Sequence, residues 1–214
     1  GQVCSGNFGT NIFDSGDFGS GSSQALPVDP RIAPGYRYTT NLPPSDGYYT
    51  IASSLRVGQH HPSWIPITDN SEDSNGYMMV VNASIPPGLF YEQVITGLCE
   101  NVLYEFSADI LNINASWATD RIKANVSFLL DDQEVYATGD IPRNEQWNTY
   151  GFTFTTNPGQ TELKLSLRNN APGGIGNDLA LDNITFRPCG SQALILPATV
   201  ANICEEDGEP FDIT

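Results

Sequence analysis

From Tyr77 onward, apolar and polar side chains alternate along the chain with a period of two. Tyr77 to Val81 is an apolar run of strand length, and Phe90 to Thr96 reads as the next strand. In the stretch Leu103 to Ile113, Tyr104, Phe106, Ala108 and Ile110 share one face. Val126, Phe128 and Leu130 form the next inward set, and Tyr150, Phe152 and Phe154 another, with Thr149, Thr153 and Thr155 outside. Leu163, Leu165 and Leu167 alternate with Glu162, Lys164, Ser166 and Arg168. A period of two with one apolar face marks half-buried strands. Asp131-Asp132, between two such runs, reads as a hairpin turn. No 3.6-residue stripe of helical length occurs. Strands at this spacing, with turn residues between them, predict an all-β antiparallel sandwich.

Upstream the pattern is shorter and more broken. Aromatic pairs (Tyr36 and Tyr38, Tyr48 and Tyr49) alternate with Pro-rich turns as far as His60-His61-Pro62-Ser63-Trp64. Before that, Asp14 to Ser23 holds too many glycines for a regular element. Phe8, Phe13 and Phe18 read as anchors tacking it to the body. After Cys189-Gly190 a small apolar run leads to the acidic Glu205-Glu206-Asp207-Gly208-Glu209. The expected organisation is one sandwich over residues 1–190. Residues 191–214 read as a linker and the start of a following Ig-like module, or as a closing segment.

The strand from Leu179 to Phe186 places Ala180, Asp182, Ile184 and Phe186 on one face at period two. A carboxylate on an apolar face needs a cation, a basic side chain or a hydrogen-bond set to hold it. Just before it, Asn169-Asn170-Ala171-Pro172-Gly173-Gly174-Ile175-Gly176-Asn177 reads as a flexible loop.

Charge narrows the function classes. Nine Lys and Arg against 25 Asp and Glu leave a net charge of −16. That opposes binding to nucleic acid or to anionic membrane surfaces. No apolar run is long enough to span a bilayer. The start Gly1-Gln2-Val3-Cys4 has no initiator Met and reads as processed. Four cysteines without a C-x-x-C pair, many Asn, Gly and Thr, and few Lys suggest an exported protein with disulfides. Cys4, Cys99 and Cys189 are the candidates for a bridge, which would leave Cys204 over.

Three segments occur in a telling order: Phe13 to Gly21, Asp69-Asn70-Ser71 followed by Gly76 to Ala83, and Leu179 to Ile184. That order resembles galactose-binding-like jelly rolls, MAM domains among them. It is similar to the N-terminal modules of secreted Bacteroidetes surface proteins used in gliding and adhesion and exported by the type IX system. The resemblance implies a calcium ion joining the first strand, a mid-chain loop and the last strand. Carried over, its ligands would be Asp17 with the Gly16 carbonyl, Asp69 and Asp182. Gly19 stands where the family has Glu, so Asp17 or Asp14 takes that role. Asp69 to Gly76 also echoes an EF-hand loop, but Ser71 and Asn82 are poor residues at the first and last ligand positions. A solvated turn is the expectation there.

Sugar binding calls for a flat ring beside polar groups. Trp117, in the polar loop Asn114 to Asp120, leads the candidates, followed by Tyr48 and Trp64. His60-His61 reads as a loop pair, and Trp147 as packing. No nucleophile elbow, zinc-protease helix or phosphate loop occurs. The expectation is a non-catalytic, secreted, calcium-stabilised module at a cell surface, whose partner is a glycan. The alternatives are a surface protein or its own copies as partner in an assembly, or an accessory role in a larger enzyme.

Overall fold

The computed structural model describes residues 16–171 and 173–189. Among these residues the structure is all-β, with no helix. The strands are β1 (Arg37–Tyr38), β2 (Tyr48–Ala52), β3 (Ser54–Leu55), β4 (Ile67–Thr68), β5 (Met78–Asn82), β6 (Gly88–Thr96), β7 (Leu103–Asn112), β8 (Asn125–Leu130), β9 (Gln133–Asp140), β10 (Asn148–Thr155), β11 (Glu162–Asn169) and β12 (Leu179–Pro188). Two sheets face each other, ordered β1-β2-β5-β12-β7-β10 and β6-β11-β8-β9; β3 and β4 form a separate pair. From β5 onward every connection except the β8–β9 hairpin crosses between the sheets. This is a jelly-roll β-sandwich, antiparallel apart from the parallel β1–β2 pair.

The inward faces are those the alternation marks. Phe106, Ala108, Ile110, Val126, Phe128, Leu163, Leu165 and Leu167 lie in one buried core. Phe106, Phe128, Phe152 and Phe186 form its aromatic centre, with ring centroids 5.5–6.3 Å apart. Asp131 and Asp132 have φ of 48° and 66°. This pair of left-handed residues matches the right-handed twist of the hairpin strands. Strand β9, which carries no apolar alternation of its own, follows that turn as an exposed edge.

The period-two reading of the last strand fails at Asp182. The pairing of β12 with β7 shifts between Asp182 and Thr185, where Asn183 has φ of 48°. A bulge adds one residue and swaps the faces. Ile184 and Phe186 therefore enter the main core, whereas Ala180 packs outside with Leu55, Trp64, Ile67, Met78, Val80, Leu111 and Ile113. Segment 53–70 covers that outer face, so Asp182 is fully buried without pointing into the sandwich.

The Asn169–Asn177 loop is packed rather than free. A Cβ on Gly173 would lie 2.0 Å from the Ile85 backbone, and one on Gly176 2.4 Å from Arg121 Cβ. Ile122 N–H donates to Ile175 O at 3.0 Å, Asn114 Nδ2 to Gly176 O at 2.7 Å, and Asn169 Nδ2 to Asn177 O at 2.7 Å. At the far end of the sandwich, Cys189 N–H donates to Leu103 O and Cys99 N–H to Tyr104 Oη, both at 2.9 Å. Cys99 and Cys189 are disulfide-bonded, and neither is a free thiol. Cys4, Cys204, Phe8, Phe13, Asp14 and the segment 191–214 lie outside the described residues. Phe18 packs edge-on against Tyr91 at 6.3 Å, as an anchor should.

Candidate binding pole and acidic cluster

The β5–β6, β7–β8, β9–β10 and β11–β12 loops meet at one pole of the sandwich. There Thr119, Arg121, Ile122, Lys123, Asn125, Asp140, Arg143, Asn170 and Ala171 line a cavity of about 500 Å³. The walls are fixed by hydrogen bonds that run through the lining. Arg168 Nε donates to Asn170 Oδ1 at 2.9 Å, Asn170 Nδ2 to Asn125 Oδ1 at 3.3 Å, and Asn125 Nδ2 to Asp140 Oδ1 at 3.1 Å. Arg143 braces the β7–β8 loop, donating from Nη1 to Arg121 O at 2.7 Å and from Nη2 to Thr119 O at 3.2 Å. Such a chain orients each amide before any ligand arrives.

Trp117 sits on that same loop and is 65% exposed. Its carbonyl accepts a hydrogen bond from Thr119 N–H, and its neighbour Ser116 is tied to Glu145 through backbone and side chain at 2.8 Å. Those bonds to Ser116 hold the Glu145 carboxyl below the usual carboxylate range. Ile85 and Ile175, on adjoining loops of this pole, are also exposed. An exposed ring on a loop that also lines a polar cavity has the composition of a saccharide platform.

The other predicted rings fare differently. Trp64 is 3% exposed; its Nε1–H donates to Asp178 Oδ2 at 3.0 Å, and His61 stands edge-on to it at 4.6 Å. This corrects the sequence reading, because a ring closed in on both sides offers no face to a sugar. Tyr48 is half-buried in β2, in register with Arg37 and Asn82. His61 Nε2 lies 3.1 Å from Asn82 Nδ2, a contact inside the loop packing. Asp178, which the sequence did not single out, accepts from Trp64 and from Ala83 N–H at 2.9 Å. Burial pushes its pKa up to about 6.

Asp69 and Asp17 lie within electrostatic reach of Asp182. Asp182 Oδ2 accepts from Asn70 N–H at 2.6 Å and Oδ1 from Asn183 N–H at 2.8 Å. Burial, with added repulsion from Asp69 and Asp17, pushes its pKa up to about 7. The carboxylates of Asp69 and Asp17, distant in sequence, thus act on that of Asp182. Gly16 belongs to the same place: its carbonyl accepts from Ile184 N–H at 2.8 Å, and a Cβ on it would strike Ile184 O at 1.8 Å. Asp17 Oδ1 caps Gly19 N–H at 3.0 Å, and Asp69 Oδ2 accepts from Ser71 N–H and Oγ at 3.2 and 2.5 Å. The second oxygen of each has no hydrogen-bond partner among the described residues. None of the ion pairs among these residues involves Asp17, Asp69 or Asp182. Asp109, opposite Asp182 on β7, is a further neighbour; it accepts from Asn70 Nδ2 at 2.9 Å, Asn183 Nδ2 at 3.0 Å and Thr149 Oγ1 at 2.6 Å. Only strand pairing brings Asp109 here, so period and spacing gave no sign of it. Among the described residues no group of three or more His, Cys, Asp or Glu side chains is placed to hold a metal by itself.

No protein-family model matches the chain, and no curated protein is significantly similar to it. Among solved structures, the chain is similar to the Stig cyclase Fisc from Fischerella sp. TAU: 17% identity over 86% of this chain and 100% of that one, TM-score 0.52. It is also similar to the sugar-binding C-terminal domain of EclA, at 18% identity over 50% of this chain and 80% of that one, TM-score 0.37. A third is the CBM22-1 xylan-binding domain from Paenibacillus barcinonensis, at 11% identity over 57% and 78%, TM-score 0.38. At such identities the likeness bears on the fold alone.

Proposed function

We propose that this chain is a non-catalytic glycan-binding module that acts at a cell surface, outside the cell, and is stabilised by calcium. The observation that carries the binding reading is Trp117: a largely exposed indole on the loop that walls a polar cavity of about 500 Å³. A ring there stacks on a sugar face while Asn125, Asp140 and Thr119 meet hydroxyls. The test is a glycan array probed with the wild-type chain and Trp117→Ala. Binding that disappears in the variant supports the reading; an array without signal, or with equal signal from both, refutes it.

The cation reading rests on chemistry. Asp182 is buried and feels the charges of Asp69 and Asp17, with no ion pair to any of the three among the described residues, and hard cations take six to eight oxygens. Asp182, Asp69 and Asp17 would hold the ion, with backbone carbonyls such as that of Gly16 and water completing the shell. Bound calcium would neutralise Asp182 and tie the 16–19 segment, the 69–71 turn and β12 together.

A further inference from the structure

We infer that the pole cavity selects an acidic saccharide, a chain of hexuronic acid residues, over the neutral sugar of the same backbone. This rests on the glycan-binding reading and adds the ligand's charge to it.

The sequence has nine Lys and Arg in all, against 25 acids. Three of the nine, Arg121, Lys123 and Arg143, line this one cavity. By contrast, Lys164 and Arg168 lie on strand β11, Arg187 lies on β12, and each faces a carboxylate at 2.7–3.1 Å. Lys123 makes no ion pair or side-chain hydrogen bond among the described residues. Arg121 pairs through Nη1 with Asp120 at 2.9 Å, but its Nε–H is buried and without a hydrogen-bond partner. A buried donor with no acceptor is costly unless something fills the place. The stem of Arg121 is held by Gly176, where no side chain would fit.

The opposite wall supplies acceptors. Asp140 has Oδ1 engaged by Asn125, which leaves Oδ2 to receive a sugar hydroxyl. Counting lining residues alone, three cations face one carboxylate. A ligand that suits both walls carries hydroxyls and one anionic group per ring, which describes a uronate. At physiological salt the screening length is about 8 Å, so the remaining acids of the chain are largely hidden from a ligand seated here. Charge-assisted contacts then decide the preference.

The experiment uses the full chain and isothermal titration with three probes: tetragalacturonate, its full methyl ester, and a sulfated galactan tetramer. Lys123→Gln removes the cation that has no structural task, and Lys123→Arg restores charge. The inference expects tetragalacturonate to bind roughly ten-fold tighter than the ester, the value of about one charge-assisted contact. It expects Lys123→Gln to erase that difference and Lys123→Arg to recover it. A sulfated tetramer bound in place of tetragalacturonate, with the same Lys123 dependence, would support the anionic cavity and overturn the uronate assignment. Equal affinity for acid and ester, abolished by Trp117→Ala, would overturn the inference and leave glycan binding standing. Tetragalacturonate binding unchanged by Lys123→Gln would also overturn it. Absence of binding to every probe and to the array would remove both readings.

Discussion

Asp182 gives the sharpest test of the cation, because the sign of a mutational effect depends on whether an ion is present. Its carboxyl is 0% exposed and has a pKa of about 7 against an ordinary 3.8. The folded chain therefore holds this proton more tightly than the unfolded chain. The share of stability that Asp182 contributes is greatest below about pH 4 and is lost as pH rises through about 7, by roughly 4 kcal/mol. Above that, an ion-free protein carries a buried charge that Asp182→Asn removes. The amide keeps one of the two accepted hydrogen bonds and loses about 1 kcal/mol for the other. Under chelator at about pH 8, Asp182→Asn should thus gain roughly 3 kcal/mol. Calcium at a hundred times its dissociation constant should add about 2.7 kcal/mol to the wild type and nothing to the variant. Denaturant melts of both proteins, in chelator and in excess calcium, read all four stabilities. A wild-type midpoint that does not respond to calcium, or a variant that responds as strongly as the wild type, would refute the reasoning.

Further outcomes follow from the same packing. Asp178, with its pKa pushed up to about 6 by burial, also binds its proton more tightly in the folded state, so its share of stability should fall between about pH 4 and 6; Asp178→Asn should flatten that part of a stability–pH curve. Trp64→Phe leaves one oxygen of that buried carboxylate without a donor and should lower stability by about 1–3 kcal/mol by denaturant melt. Gly176→Ala places a Cβ against Arg121 and Ile122 at φ of 121°, and should cost about 3 kcal/mol while weakening saccharide binding in titration. Asp132→Ala removes an exposed pair with Lys164 and should shift the melt by less than about 1 kcal/mol, far less than any change at Asp182.

The sandwich was legible in the chain because burial in a two-sheet fold imposes alternation locally. Phe106 and Ala108, or Leu165 and Leu167, declare their face within a few residues. Asp131-Asp132 declared a hairpin because few residue pairs tolerate two left-handed positions. That Asp69 and Asp17 come within electrostatic reach of Asp182 was suggested only through resemblance, since nothing in the spacing of three residues so far apart forces them together. The face of Asp182 was misread for a physical reason: the bulge at Asn183 is set by register against β7, and one inserted residue exchanges inside for outside. The Gly-rich loop looked mobile because glycine usually marks freedom; here it marks close approach, which only the neighbours Ile85 and Arg121 reveal. Trp64 and Trp117 are alike as letters, and long-range packing alone buried one under Asp178 and left the other in solvent. The concentration of Arg121, Lys123 and Arg143 around one cavity is likewise a matter of loops meeting in space. Alternation is a property of neighbours along the chain, whereas binding geometry belongs to neighbours across it.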